Sequence, residues 1–386
     1  MSRQRIKKPT KRDFLARPIE QINVTSFDAR PITDLYKGMR GSAGDLADAI
    51  EIYNNMLRDP NCTIFLTLAG SASAQGLMNV WPTLVENKMV DAVVATGASV
   101  VDMDIFEALG FRHYHGNPNV NNEKLGNLGI DRIFDTYIDE SQLQKIDAFC
   151  EEVVAGLDPR PYAPWEVTRE MGRILASGRA KKTNTLVQKC FENNVPLFSL
   201  GLTDSAFGMG STYNNMVSAI KNRGKMTLDT TREYADMAKI KLVAPTTGLV
   251  MIGGGIPKNH VQDTVIVAQG VLATLRRQKQ YDLLRQIGYE KKKQKDEVPL
   301  HAYAVQITVA DPRDGACSSS TLQEARTWGK VDLSQERMVF SEATMSVPLL
   351  ASAAYHERVW NGRPKRNYAS RLAALKGDND FLTSVA

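Results

Sequence analysis

Residues Cys62–Gly76 read CTIFLTLAGSASAQG, and this stretch decides the fold. CTIFLTL is too short for a buried helix and carries no polar alternation, so it reads as a buried strand. It ends in a turn of glycine, serine and alanine. LMNVWPTLVENKM then has helical spacing, with Pro82 pointing to a kink or a late start. The same unit recurs along the chain. VDAVVATGAS (Val90–Ser99) is a second apolar run ending in small residues, followed by a short helix, MDIFEALG, closed by Gly110. VPLFSLG (Val195–Gly201), GLVMIGGG (Gly248–Gly255) and HAYAVQITVA (His301–Ala310) have the same form. Between them lie amphipathic segments such as ESQLQKIDAFCEEVVAGL, TTREYADMAKI and TVIVAQGVLATLRRQ.

Strands alternating with helices predict an α/β fold: one large domain with a mainly parallel, Rossmann-like sheet and helices on both faces. Ligands of such sheets collect at the carboxyl ends of the strands. That expectation puts Ser71–Gln75, Thr96–Asp104, Thr203–Met209, Gly253–Asn259 and Asp311–Ser320 on one rim. Within 386 residues the expected division is a basic extension (1–30), one large domain (31–360) and a basic tail (361–386). QIGYEKKKQKDEV (Gln286–Val298) reads as an exposed loop or frayed helix end.

Composition narrows the class. At 43% hydrophobic and 24% charged residues, the chain reads as an ordinary globular protein with a substantial core. It has no apolar run of the ~20 residues a membrane span needs, and the basic start MSRQRIKKPTKRDF has no apolar segment behind it, unlike a secretory signal. Cys62, Cys150, Cys190 and Cys317 are widely spaced, which argues against structural zinc or a disulfide framework and for a reducing cytoplasm. The net charge of +5 is concentrated at Arg3, Arg5, Lys7, Lys8, Lys11, Arg12 and Arg17 and at Arg363, Lys365 and Arg366. These clusters read as solvated or subunit-wrapping ends. A nucleic-acid partner is not expected, because no aromatic RNA-binding motif or zinc finger accompanies them.

The rim segments carry the candidate chemistry. Gly253-Gly254-Gly255 suits either close approach to a phosphate or a tight strand-end turn, and Pro257 removes one donor. GSASAQG offers hydroxyls and amides ahead of a helix. Asp102 and Asp104 either hold ribose hydroxyls or a cationic amine, or cap helices. His113 and His115 lack a third nearby ligand, so no metal is expected. His260 reads as a polar rim residue. EARTWGKVDL (Glu324–Leu333) puts Lys330 behind a tryptophan and a glycine, with Glu324 and Trp328 one helical turn apart. The residues alone leave two readings: a surface lysine at a helix end, or a desolvated nucleophile.

Taken together, GLMNVWPTLVENKMVDAVVATGAS, EKLGNLGIDRIFDTYI, NNVPLFSLGLTD, GLVMIGGGIPKNH, DGACSSSTLQEARTWGKV and VFSEATMSVPLLAS resemble the deoxyhypusine synthase family, over roughly Asn61–Ala354. The resemblance implies an NAD-dependent transferase that moves a 4-aminobutyl group from spermidine, or a related alkylamine from a similar polyamine. Lys330 would be the imine-forming nucleophile, and Glu324, Trp328, Asp102 and His260 would bind substrate. Ser71, Ala72, Ser73, Ala74, Thr96, Gly97, Ala98, Asp204, Gly254, Glu342 and Ala343 fall where the family holds NAD. A one-residue offset leaves open whether Asp102 or Asp104 faces the ligand. The acceptor would be a lysine of translation initiation factor 5A or, as in homospermidine synthases, a free amine. A homotetramer with active sites at a dimer interface is implied as well.

Three positions depart from the family pattern. Met209 and Cys317 stand where acids hold substrate ammonium groups, and Asn259 replaces a histidine, with His260 one place later. A charge-assisted contact contributes roughly 1.5–3 kcal/mol, so the amine-anchoring side is weakened more than the nucleophile. An NAD-dependent amine oxidoreductase and a non-catalytic NAD-binding homologue are the alternatives, and the retained Trp328 and Lys330 argue against the second.

Overall fold

The run that reads as a buried strand is one: β1 (Cys62–Leu68) has every residue buried. The computed structural model describes residues 9–287, 289 and 298–374. Arg3, Arg5, Lys7 and Lys8, residues 288 and 290–297 of the 286–298 segment and residues 375–386 of the basic tail lie outside them. Five further strands join β1 in one sheet: β2 (Ala92–Ala95), β3 (Leu197–Phe198), β4 (Thr246–Ile252), β5 (Tyr303–Thr308) and β6 (Glu336–Phe340). Every pairing in it is parallel, with Phe65 opposite both Ala92 and Leu249. The spatial order is β3-β2-β1-β4-β5-β6. The chain therefore builds outward from β1 to one edge, returns, and builds to the other edge, so the order reverses between β1 and β4.

Strand side chains alternate between two cores, as a pleated strand requires. Ile64, Leu66, Leu68, Val93, Ala95, Val250, Ile252, Val305 and Ile307 enter one. That core is closed by residues of α1 (Gly41–Arg58), α2 (Val80–Glu86) and α7 (Ala343–Glu357). Phe65, Ala92, Val94, Leu249, Met251 and Ala304 enter the other, with Trp165, Met237, Ile240, Val261 and Leu322. Burying such a side chain stabilises by about 1.5–3 kcal/mol, which is why these strands are apolar on both faces. Pro82 is explained by a late start, since α2 begins only two residues before it. The result is a mixed α/β single domain with a large parallel sheet covered by helices on both faces. Two small sheets lie outside that expectation: Tyr114–His115, Thr136–Asp139 and Ile130–Ile133 form an antiparallel one, and Pro161–Tyr162 pairs in parallel with Thr227–Leu228. Among the described residues, no helix is long and apolar enough to cross a membrane.

Both basic ends are partly built in. Lys11 pairs with Asp139 at 2.7 Å, and the Ile19 amide donates to His113 O. Arg363, read from sequence as part of a solvated tail, is instead buried. Its Nη2 lies 2.7 Å from Asp91 Oδ2, and it also donates to Lys88 O and Cys62 O. A guanidinium offers a planar fork of donors that a lysine cannot reproduce, and here the fork ties the C-terminal segment to the sheet.

Candidate active site

Because all six strands are parallel, their carboxyl ends share one rim, and short contacts join the end segments. Ser99 Oγ donates to Gly70 O at 3.3 Å and pairs with Thr96 Oγ1 at 2.8 Å. A Cβ on Gly97 would lie 2.6 Å from Gly201 O, and one on Gly254 would lie 2.3 Å from Ser318 Cα. The backbone segments after β2 and β3, and after β4 and β5, can pack this closely only without side chains. Gly254→Ala is therefore expected to destabilise the fold by about 1–3 kcal/mol, read from the urea denaturation midpoint. An unchanged midpoint would show that the Ser318 segment yields freely.

The rim candidates fall into two groups. Ser71, Ala72, Thr96, Ala98 and Asp204 are at least partly exposed, whereas Gly97 and Gly254 are buried in the turns that shape the rim. Ser73 and Ala74 are buried, and Ser73 Oγ accepts from Trp81 Nε1 at 2.9 Å. Glu342 caps α7 by accepting from the Thr344 amide at 2.8 Å, one residue before Ala343 opens that helix.

Both acids after β2 meet helix N-termini. Asp104 is fully buried and accepts from the Leu186 and Val187 amides at 2.8 and 2.9 Å, the start of the helix Leu186–Asn193. Asp102 accepts from the Ala206 amide at 2.8 Å, the first residue of α3 (Ala206–Ile220). Burial pushes each carboxyl up to about 6, opposed by those amides. Asp102 retains partial exposure. His113 also has a structural role: it is buried with Nδ1 3.2 Å from Glu107 Oε1. Among the described residues no three metal-ligating side chains gather.

Lys330 lies away from these groups. Its segment follows α6 (Leu322–Thr327), which Thr321 caps and which ends at Trp328. Gly329 turns the chain with φ +69°, a left-handed conformation that favours glycine. The Lys330 carbonyl accepts from the His301 amide at 3.0 Å, ahead of the amino end of β5. The side chain reaches α5 (Gly255–Arg277), where Nζ is 2.6 Å from Asp263 Oδ1 and 3.5 Å from Asn259 Oδ1. Asn259 and Asp263 sit 4 and 8 positions into α5, roughly 6 and 12 Å down the helix from the rim. Lys330 is therefore not on the rim, as its sequence neighbourhood suggested, but at the lower end of a groove between α5 and α6.

The groove encloses about 560 Å³. Gly315, Ala316, Cys317 and Ser320 line it at the rim, and Asp263, Ile266, Trp328 and Lys330 line it below. Trp328 is 66% exposed, with its ring centroid 5.6 Å from Lys330 Nζ. The lysine's burial owes more to α5 than to the tryptophan. Glu324 lines the groove as an exposed carboxylate. Lys258, fully buried, donates to Ser320 O and Oγ, and burial pushes it down to about 8 against the opposing pull of Glu324. His260 packs edge-on against Tyr234, with ring centroids 5.0 Å apart, and Tyr234 lines the groove. Asp263 was missed in the sequence. Its signal was the spacing of Asn259 and Asp263, which puts both on one helix face.

Comparison with known proteins identifies the family and the fold. The family model for deoxyhypusine synthase matches residues 32–354. A deoxyhypusine synthase-like protein of Coxiella burnetii is 49% identical over 361 residues, covering 93% of this chain and 95% of that one. A second, from Caulobacter vibrioides, is 45% identical over 355 residues, covering 92% and 90%. In fold, the chain is similar to a crystal structure from Entamoeba histolytica described as that of a deoxyhypusine synthase. The TM-score is 0.56 at 18% identity, covering 91% of this chain and 99% of that one. With a family model spanning most of its length and near-full-length relatives, the chain belongs to the deoxyhypusine synthase family.

Proposed function

We propose that the protein is an NAD-dependent alkylamine transferase that carries a 4-aminobutyl or related group on Lys330. The observation behind this reading is the buried Lys330 ammonium, 2.6 Å from Asp263 in a groove that rises to the rim. A lysine amine set in the wall of a groove can act as a nucleophile toward a carbon electrophile bound there. Its neutral Nζ would form a C–N bond to the donor carbon activated by hydride removal, the donor's own C–N bond at that carbon would break with the remaining amine leaving, and an acceptor amine would later displace Lys330 in the same way. Glu324 would pair with a substrate ammonium, and Trp328 and Ile266 would cover the apolar stem.

The reversal of strand order between β1 and β4 supports NAD, because dinucleotides bind parallel sheets across such a crevice. Gly70 (φ +81°) and Gly253 (φ +73°) end the two strands beside the crevice, leaving room for a backbone-bound cofactor. Ser71, Ala72, Thr96, Gly97, Ala98, Asp204 and Gly254 would hold it. Ser73, Ala74, Glu342 and Ala343 would shape the turns around it. When bound, NAD supplies the acceptor and later the donor of a hydride.

Spermidine or a similar polyamine is the proposed donor. The acceptor is a protein lysine, such as that of initiation factor 5A, or a free amine. A homotetramer with sites at a dimer interface belongs to the same reading. An exposed apolar stripe on α3, formed by Met209, Tyr213, Met216, Val217 and Ile220, supports a covered face there.

The test is incubation with NAD and spermidine, borohydride trapping and mass spectrometry of the Lys330 peptide. A 4-aminobutyl adduct is the expected result. NADH released without an adduct would indicate an amine oxidoreductase, and tight NAD binding with neither would indicate a non-catalytic homologue.

A further inference from the structure

The charged groups around Lys330 balance. Facing it are Asp263, Asn259 and Lys258 from α5, Glu324 from α6, Tyr234 from α4 (Thr230–Val243), and the Cys317 thiol from the rim loop. Two lysines oppose two carboxylates. Asp263, nearest to Lys330, is engaged by it at 2.6 Å, with side-chain exposures of 11% for the lysine and 30% for the aspartate. Glu324 is thus the exposed carboxylate of the groove, whereas Asp263 is already engaged when an ammonium arrives.

We propose that Asp263 gates the nucleophile: an incoming substrate ammonium takes the Asp263 carboxylate from Lys330, and Lys330 then releases one proton to water. The inference rests on the reading of Lys330 as a nucleophile and assigns Asp263 as its positioning residue. The exchange balances. A substrate ammonium, a Lys330 ammonium, an Asp263 carboxylate and a water become an ammonium–carboxylate pair, a neutral Lys330 amine and a hydronium ion. No bond to carbon changes and no electron moves.

Two features of the groove drive the exchange. A lysine largely removed from water that loses the counter-charge 2.6 Å away is left with an uncompensated ammonium, which favours the neutral form. The stem of the arriving amine also buries apolar area on Trp328, Ile266 and Val267, which line the groove. Lys330 is thus held charged while the groove is empty and made nucleophilic only where an amine has arrived. The carboxylate is on α5 and the lysine follows α6, so the switch spans the two walls of the groove.

The experiment is isothermal titration of the intact protein with 1,4-diaminobutane at neutral pH, in phosphate and in Tris, whose different ionisation enthalpies report proton release. The wild type is expected to release close to one proton per amine bound. Asp263→Asn, nearly isosteric on a partly exposed helix face, is expected to bind about tenfold more weakly and to release almost none. Lys330→Arg keeps the cation and the pairing but cannot give up its proton, so release should disappear there too. Equal release in wild type and Asp263→Asn would overturn the proposal, as would persistent release in Lys330→Arg, which would point to Lys258. Binding without release in the wild type would mean that the amine pairs with Glu324 and leaves Asp263 alone. Absence of binding would also overturn it. Proton-linked binding without a borohydride adduct would keep this inference and sink the transfer reading, so the two fail separately.

Discussion

Lys330→Arg is expected to abolish adduct formation and to lower amine transfer by about 10³-fold or more, while leaving the protein folded. Arginine preserves a cation facing Asp263 and the Trp328 ring, so the electrostatics of the groove survive. What it lacks is a neutral form at accessible pH, and with it the lone pair. Lys330→Ala is the harsher control, because it leaves Asp263 without the pairing seen at 2.6 Å. Single-turnover trapping with borohydride, read beside thermal melts of both variants, separates lost chemistry from lost fold. Retention of more than about a tenth of the transfer rate in Lys330→Arg would remove Lys330 from the role of nucleophile.

The largest stability effect is expected far from the groove. Asp91→Ala should cost about 3–5 kcal/mol, because it leaves Arg363 buried without its counter-charge. Asp91 Oδ2 accepts from both Arg363 Nη2 at 2.7 Å and the Ile64 amide at 2.8 Å. One substitution thus removes a partner from the C-terminal segment and from β1 together. The side chains are only 2% and 3% exposed, so water does not replace what is lost. Urea unfolding measures the change, and activity per folded molecule should remain at the wild-type level. A loss below about 1 kcal/mol would mean that the segment around Arg363 is held chiefly by its apolar contacts.

Legibility followed the local physics of each segment. β1 and β4 were readable because strands buried on both faces are mostly apolar, and CTIFLTL and the run ending at Ile252 are, with threonines as their polar residues. β6 was not among the strands read from the sequence. ERMVF carries a glutamate and an arginine, and Arg337 reaches Asp48 at 3.1 Å and Asp45 at 3.6 Å on α1, so an edge strand tolerates charges that hide its pattern. The small antiparallel sheet was missed for a related reason: strands of two to four residues carry too little periodicity to be recognised. Asp102 and Asp104 were identified as a pair with two alternative roles, and each meets a helix N-terminus more than 80 residues further along the chain. Arg363 was read as a tail residue because its partner Asp91 is 272 residues away.

The sequence by itself determined the alternation of strand and helix, the small-residue ends of the strands and the Trp-Gly-Lys segment. These depend on burial and turn chemistry within a few residues. The tertiary structure alone decided how those pieces meet: the reversal of strand order between β1 and β4, the descent of Lys330 below the rim, and its pairing with Asp263. The physical reason is that a charge pair across two helices depends on the register of α5 against the segment after α6. That register is set by the His301–Lys330 backbone bond and by packing in the core, over separations of 29 to 71 residues. No local pattern encodes it.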